Sequence, residues 1–241
     1  MSEAEQSANG FKRVLGVFAH PDDPEFFAGA TFARWAAEGA EITFLMATSG
    51  DKGSADPEMT HERLSAMRED EERAAAAALG VKEVIFLRYP DGELAPTLQL
   101  RRDIVRAIRQ FKPDVVVTTD PTSWYTERSI NHPDHRAIGE ATLAAVFPTA
   151  RDRLNFLELE RDEGLDVHKT RQLYIAGSQR PNVKIDVTDY IDTQIESLRE
   201  HKSQIKDMDG LAERIRSRKI DPEAPEDAPR NIESFHVVTL G

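Results

Sequence analysis

The sequence predicts an α/β fold with three layers, in which helices cover both faces of a Rossmann-like, mostly parallel sheet and a C-terminal elaboration follows. Short apolar runs alternate with helical stretches over the first 146 residues. Strands joined in this way by helices pair in parallel within one sheet. The first run also ends abruptly at a polar cluster, which is typical of a buried parallel strand.

Each predicted element has its own signal. The strands are apolar or β-rich runs at residues 14–19, 41–48, 84–87, 114–119, 172–176, 183–187 and 235–240. The helices are amphipathic or alanine-rich stretches at residues 24–37, 60–79, 98–111, 133–146 and 188–205. Pro24 suits the first turn of a helix, and Gly39 and Gly80 suit helix ends. Thr188 or Asp189 would cap the last helix.

The domain organisation is simple. A length of 241 residues suits one α/β domain with a full core. Residues 1–10 are polar and predict a flexible leader, and residues 11–241 contain neither an internal repeat nor a clear linker. We therefore predict one domain over residues 11–241, with a solvated acidic loop at residues 221–229.

The composition excludes several classes of function. The chain has no cysteine, so any metal must bind to His, Asp or Glu, and disulfides and thiol nucleophiles are ruled out. The net charge of -12 disfavours nucleic acid and anionic membranes as partners. The polar N-terminus and the lack of a long apolar run predict a cytoplasmic protein without membrane insertion. A homo-oligomer is left open.

A first polar cluster, His20-Pro21-Asp22-Asp23, directly follows the first predicted strand. Ligand sites in open α/β sheets lie at the carboxyl ends of strands. His20 and Asp23 could bind one metal while Asp22 points elsewhere. The alternative is a polar turn in which Asp22 or Asp23 caps the following helix.

A second cluster, His132-Pro133-Asp134-His135, follows the strand at residues 114–119 and its loop. It repeats the chemistry of the first cluster at the same end of another parallel strand. Two such turns on one sheet edge are hard to explain as helix caps alone. His20, Asp23 and His135 together supply three protein ligands and leave one position open, as catalytic zinc sites do. Ferrous iron also binds to sites of this composition.

The two clusters carry a resemblance to a known family. AHPDDPEF at residues 19–26 and NHPDHRAIGEA at residues 131–141 resemble the paired signatures of the PIG-L/LmbE-like N-deacetylases. That family includes N-acetylglucosaminyl-phosphatidylinositol deacetylases and the deacetylases of the mycothiol and bacillithiol pathways. TSGDKG, YPDG and HKSQ are similar as well, so the resemblance spans residues 13–205. In the first motif the family commonly has AHPDDE, whereas here Pro24 precedes the glutamate.

The resemblance implies a role for most polar residues of the first motif. It implies that His20, Asp23 and His135 are the ligands of one zinc ion per chain. It implies that Asp22 is the general base. Such a base takes a proton from the attacking water, and zinc makes that water a stronger acid.

The resemblance also implies roles in the second motif and in substrate binding. His132 would stabilise the oxyanion or protonate the leaving amine, with Asp134 as its orienting partner. Arg68 is similar to a substrate-binding arginine of the family, but it also suits a surface ion pair with glutamates of its own helix. His201 of HKSQ suits either a helix surface or the site.

Two further residues are candidates for substrate binding. Asp91 belongs to YPDG, which is first of all a turn signal. Several relatives carry a tyrosine at the position of Ile130, and Tyr125 in the same loop could replace it. The family also often has glutamate at the position of Asp51.

These observations predict a zinc-dependent hydrolase that removes the acetyl group from an N-acetylated sugar or sugar conjugate of the N-acetylglucosamine type. The alternatives are an amidase acting on a related thiol-sugar conjugate, a metal phosphoesterase, and a metal-stabilised binding protein without activity. Serine hydrolysis and nucleotide binding are disfavoured, because neither a G-x-S-x-G nor a G-x-G-x-x-G sequence occurs.

Overall fold

The computed structural model of the chain describes residues 11–127, 129–225 and 227–241. The leader predicted at residues 1–10 lies outside these ranges. Within them, no helix is both long enough and apolar enough to cross a membrane.

The described residues form one seven-stranded sheet in the order β3-β2-β1-β4-β5-β7-β6. The strands β3, β2, β1, β4 and β5 pair in parallel, and β7 runs antiparallel to both β5 and β6. The bounds are β1 Arg13–Phe18, β2 Glu41–Thr48, β3 Glu83–Tyr89, β4 Val115–Thr119, β5 Gln172–Ala176, β6 Val183–Asp186 and β7 Ile232–Thr239. The predicted mostly parallel sheet is confirmed.

Helices cover both faces of this sheet. They are α1 Asp23–Ala37, α2 His61–Ala78, α3 Leu98–Phe111, α4 Pro133–Ala144, α5 Leu157–Arg161, α6 Ile191–Leu198 and α7 Met208–Arg218. One hydrophobic cluster joins the sheet to α1, α2, α6 and α7, with Phe32 and Trp35 fully buried. The other joins it to α3, α4 and α5, with Ile104 and Ile138 fully buried. The three-layer architecture predicted from the sequence is therefore confirmed.

The C-terminal half departs from the prediction in two places. The helix predicted at 188–205 begins with a 3₁₀ turn at Thr188–Tyr190 and ends at Leu198. It ends early because the HKSQ segment turns inward, which buries the side chain of His201 completely. The helix α7 was not predicted, since its apolar residues are few. The last strand inserts between β5 and β6, so the elaboration completes the sheet.

A buried arginine holds the loop that follows α4. The side chain of Arg109 in α3 is fully buried, and its guanidinium donates hydrogen bonds only to backbone carbonyls. The acceptors are the carbonyl oxygens of Thr149, Ala150, Asp152, Asn155 and Phe156, at 2.9–3.3 Å. Buried carbonyl groups need hydrogen-bond donors, and this one side chain supplies them to five carbonyls of an irregular loop.

We expect Arg109→Met to lower the free energy of unfolding by about 2–4 kcal/mol, because it leaves several buried carbonyls without donors. Urea denaturation measures this difference. Arg106→Met on the same helix is the matched control, since Arg106 makes partly exposed ion pairs with Asp103 and Glu163. Its cost should stay below about 1 kcal/mol. Equal costs for the two variants would contradict the role of Arg109.

Candidate metal and active site

The two polar motifs meet at the carboxyl edge of the sheet. The first follows β1 and opens α1, and the second opens α4 after the loop that leaves β4. Since β1 and β4 are neighbouring parallel strands, their carboxyl ends lie side by side. The ring centroid of His20 is 4.6 Å from that of His132 and 5.3 Å from that of His135.

The carboxylate of Asp23 lies between the other two predicted ligands. Its Oδ1 atom is 2.9 Å from Nε2 of His135, and its Oδ2 atom is 3.4 Å from Nδ1 of His20. Oδ2 also accepts the backbone N–H groups of Ala19 at 3.1 Å and His20 at 2.8 Å. Burial would raise the pKa of Asp23, but His135 and His20 lower it strongly. The structure thus brings the three predicted ligands together.

The outer ring nitrogens test whether these residues fit a metal ion. Nδ1 of His135 is 3.0 Å from the amide oxygen of Asn131. Nε2 of His20 is 3.1 Å from Oδ1 of Asp91 and 3.2 Å from Oδ2 of Asp134. If Nδ1 of His135 and Nε2 of His20 carry the ring protons, the other nitrogen of each ring faces Asp23 with a free lone pair. Metal-binding histidines are held in this way, so the residues fit a divalent ion.

The helix-cap alternative for the first motif does not hold. Asp22 occupies the N-cap position of α1, but its side chain makes no cap hydrogen bond. The carboxylate of Asp23 accepts the amides of Ala19 and His20, which precede the helix.

Asp22 is instead held by two side chains of α2. Its backbone is in the left-handed region, with φ 92°. Its backbone N–H donates to Oε2 of Glu72 at 3.0 Å, and its Oδ2 atom accepts from Nη2 of Arg68 at 3.1 Å. Burial raises the pKa of Asp22 to about 6, although Arg68 opposes this shift.

Arg68 is buried, with 5% of its surface exposed, and does not form the surface ion pair with its own helix that was one alternative. It donates to the carbonyls of Pro21 at 2.6 Å and Gly50 at 3.0 Å as well as to Asp22. Gly50 has φ 64°, and a Cβ atom there would lie 2.2 Å from Nη1 of Arg68. The glycine of TSGDKG therefore makes room for the guanidinium.

The contacts of Asp134 differ from the expectation. Its carboxylate is fully buried and contacts His20, while it accepts the backbone N–H groups of Gly92 at 2.7 Å and Leu94 at 3.2 Å. Only its backbone N–H reaches His132, at 3.2 Å from Nδ1. As the N-cap of α4, His132 uses this nitrogen as an acceptor. The Asp134 carboxylate thus orients His20 in this structure, and the predicted side-chain pair with His132 is absent.

His132 lies where two open clefts meet. One cleft, of about 610 Å³, is lined by residues that include Asp22, Arg68 and Asp91. The other, of about 390 Å³, is lined by residues that include Tyr125. Both clefts reach His132 and His135. Partial desolvation and the neighbouring His20 lower the pKa of His132.

The candidate substrate-binding residues are placed differently from one another. Tyr125 is 70% exposed and pairs with Ile130 across a short antiparallel bridge, at the rim of the smaller cleft. Asp91 is buried and already engaged, because it accepts the backbone N–H of Lys52 at 3.0 Å and contacts His20. Sequence reasoning missed Glu72, whose contact with Asp22 joins two separate segments, and Asn131, whose contact with His135 lies within the second motif.

Comparisons with known proteins identify the family of this chain. The family model PIG-L, described as GlcNAc-PI de-N-acetylase, matches residues 15–146, which include both motifs. The chain is 32% identical over 196 residues to the diacetylchitobiose deacetylase of Thermococcus kodakarensis, covering 81% of this chain and 71% of that protein.

A second relative and a solved structure show the same likeness. The 1D-myo-inositol 2-acetamido-2-deoxy-alpha-D-glucopyranoside deacetylase of Thermobispora bispora is 31% identical over 245 residues, covering 80% of each chain. The structure of N,N'-diacetylchitobiose deacetylase from Pyrococcus horikoshii, in complex with its inhibitor MPG, superposes with a TM-score of 0.84 and 27% identity. It covers 98% of this chain and 86% of that one. The resemblance predicted from the sequence is confirmed, and the chain belongs to the PIG-L family.

Proposed function

We propose that this chain is a metal-dependent deacetylase that hydrolyses the acetamido group of an N-acetylglucosamine-type sugar or sugar conjugate. The observation that carries the proposal is the convergence of His20, Asp23 and His135, with Asp22 and His132 beside them. The three relatives reported above are named as deacetylases of such compounds, which supports the substrate class.

His20, Asp23 and His135 would hold the ion, for which we propose zinc, with ferrous iron as the alternative. A bound divalent ion would polarise the amide carbonyl and make water a stronger acid. Three protein donors would leave one ligand position of the ion open. The Asp134 carboxylate and the Asn131 side chain orient the two histidines by their outer ring nitrogens.

The other site residues move protons. Asp22 takes the proton of the attacking water as general base, and Arg68 with Glu72 fixes its position. His132, at the junction of the two clefts, stabilises the developing oxyanion charge or donates a proton to the leaving amine. The products are acetate and a free amine. Substrate binding by Arg68, Asp91 and Tyr125 stays a prediction. Arg68 and Asp91 already make hydrogen bonds to other protein groups, whereas the side chain of Tyr125 is exposed.

The direct test is a screen of N-acetylglucosamine conjugates for release of acetate and a primary amine, with and without a chelator. We expect activity that the chelator abolishes and added zinc restores. Hydrolysis of p-nitrophenyl phosphate without any deacetylation would support the phosphoesterase alternative instead. Absence of both activities in a metal-loaded protein would favour a binding protein.

The metal assignment has its own test. We expect His135→Ala to lose one equivalent of metal per chain relative to the wild type, because it removes one of three donors. Inductively coupled plasma mass spectrometry measures this difference. The control is His236→Gln on β7, whose ring contacts the carbonyl of Arg180 and which should keep the full metal content. Unchanged metal in His135→Ala would refute the assignment.

Asp22→Asn separates metal binding from chemistry. We expect it to keep its metal, because the Asp22 carboxylate contacts Arg68 and is not assigned as a ligand, and to lose about 10²-fold or more in turnover. Asp51→Asn is the control, since Asp51 pairs with the exposed ring of His61 and should stay close to wild type. Parallel loss of metal and turnover in Asp22→Asn would make Asp22 a ligand.

Substitutions of His132 and Asp134 should have different effects, the first on turnover and the second on metal affinity. His132→Ala should keep the metal and lower turnover about 10²–10³-fold with little change in KM, as loss of a transition-state interaction does. Asp134→Asn should weaken metal binding about 10–100-fold, because its carboxylate orients His20. If Asp134→Asn instead kept full metal affinity and added nothing to the effect of His132→Ala, the two residues would act as a pair.

A further inference from the structure

A second group of side chains of the types that bind metals lies in the interior next to Asp22. Glu25 from α1, Glu72 from α2 and His201 from the turn after α6 converge in the interior, and none of the three is exposed. Nε2 of His201 is 3.5 Å from Oε2 of Glu25 and 3.8 Å from Oε2 of Glu72. We call these three residues the buried triad.

Most polar atoms of the buried triad have no partner. Among the described residues, both ring nitrogens of His201 and Oε1 of Glu72 make no hydrogen bond, and neither carboxylate oxygen of Glu25 has a partner with normal hydrogen-bond distance and angle. Buried polar groups are nearly always hydrogen-bonded, and leaving one unpaired destabilises the folded state. No lysine or arginine of the described ranges pairs with either carboxylate, and the ring of His201 is the cationic group that faces both of them.

We propose that Glu25, Glu72 and His201 bind a divalent ion of the zinc class, separate from the ion of the cleft. Donors about 2.0–2.2 Å from one tetrahedral ion lie about 3.4 Å apart. The observed separations approach this value and are long for hydrogen bonds. Two carboxylates balance the ion's charge, and an imidazole donor disfavours magnesium and calcium.

The role of this ion is structural. None of the three residues lines the clefts that reach His132, so the ion is sealed from substrate. It joins α1, α2 and the segment after α6, which share one face of the sheet. Through Glu72 it also connects to the backbone N–H of Asp22, whose left-handed conformation needs support. The inference does not depend on the deacetylase reaction.

The test counts metal ions in protein purified with zinc as the only added metal. We expect two equivalents per chain in the wild type and one in His135→Ala, Glu72→Gln and His201→Gln. The matched control is Glu71→Gln, because the neighbouring Glu71 bonds to the backbone N–H and hydroxyl of Ser203 instead and should keep two. A wild type with one equivalent, all of it lost in His135→Ala, would overturn the proposal.

A second measurement does not require the triad variants to fold. In crystals of the wild type, anomalous diffraction at the zinc edge should give a peak among the buried triad besides the peak at Asp23. The buried ion should also survive a chelator treatment that empties the cleft and should be released on unfolding, since none of its ligands is exposed. No anomalous peak in the triad would overturn the proposal whatever the variants show.

Discussion

The site depends above all on the carboxylate of Asp23. Its Oδ2 atom accepts hydrogen bonds from two backbone N–H groups directly after β1 and faces the ring of His20. Its Oδ1 atom faces the ring of His135 in α4. One side chain therefore ties the end of a strand to the beginning of two helices. Without a positive partner, its buried charge would be costly, so the two histidines and the proposed ion are as much a requirement of the fold as of the chemistry.

The convergence of His20, Asp23 and His135 was predictable from the sequence because the parallel sheet leaves little choice of geometry. Two similar tetrapeptides follow two predicted strands, and the carboxyl ends of parallel strands share one edge of the sheet. The structure pairs β1 directly with β4, so the motifs become neighbours although they are far apart in the chain. The helices and strands of this half were equally clear, since the strands are short apolar or β-rich runs, the helices are amphipathic or alanine-rich, and Gly39 and Gly80 follow two helix ends.

What the sequence did not predict depends on contacts whose direction has no local signal. The motif places Asp134 two residues from His132, yet the backbone of α4 turns the carboxylate toward His20 and toward the amides of Gly92 and Leu94. The inward turn of HKSQ is similar: a helical pattern continues through His201, but burial of its ring ends α6 early. The order β5-β7-β6 also could not be predicted, because no local signal distinguishes a last strand that inserts between β5 and β6 from one that joins an edge of the sheet.

The helix α2 controls the general base that we propose. Arg68 and Glu72 are four residues apart and thus lie on the same face of the helix. The first contacts the carboxylate of Asp22 and the second its backbone N–H. A non-glycine residue with φ 92° costs about 1–3 kcal/mol, and such strain persists only where surrounding contacts impose it. These two contacts impose it here. As a result, Asp23 faces His20 and His135 while Asp22 faces Arg68. Adjacent acids in one motif can therefore have separate tasks, since a distant helix fixes the backbone between them.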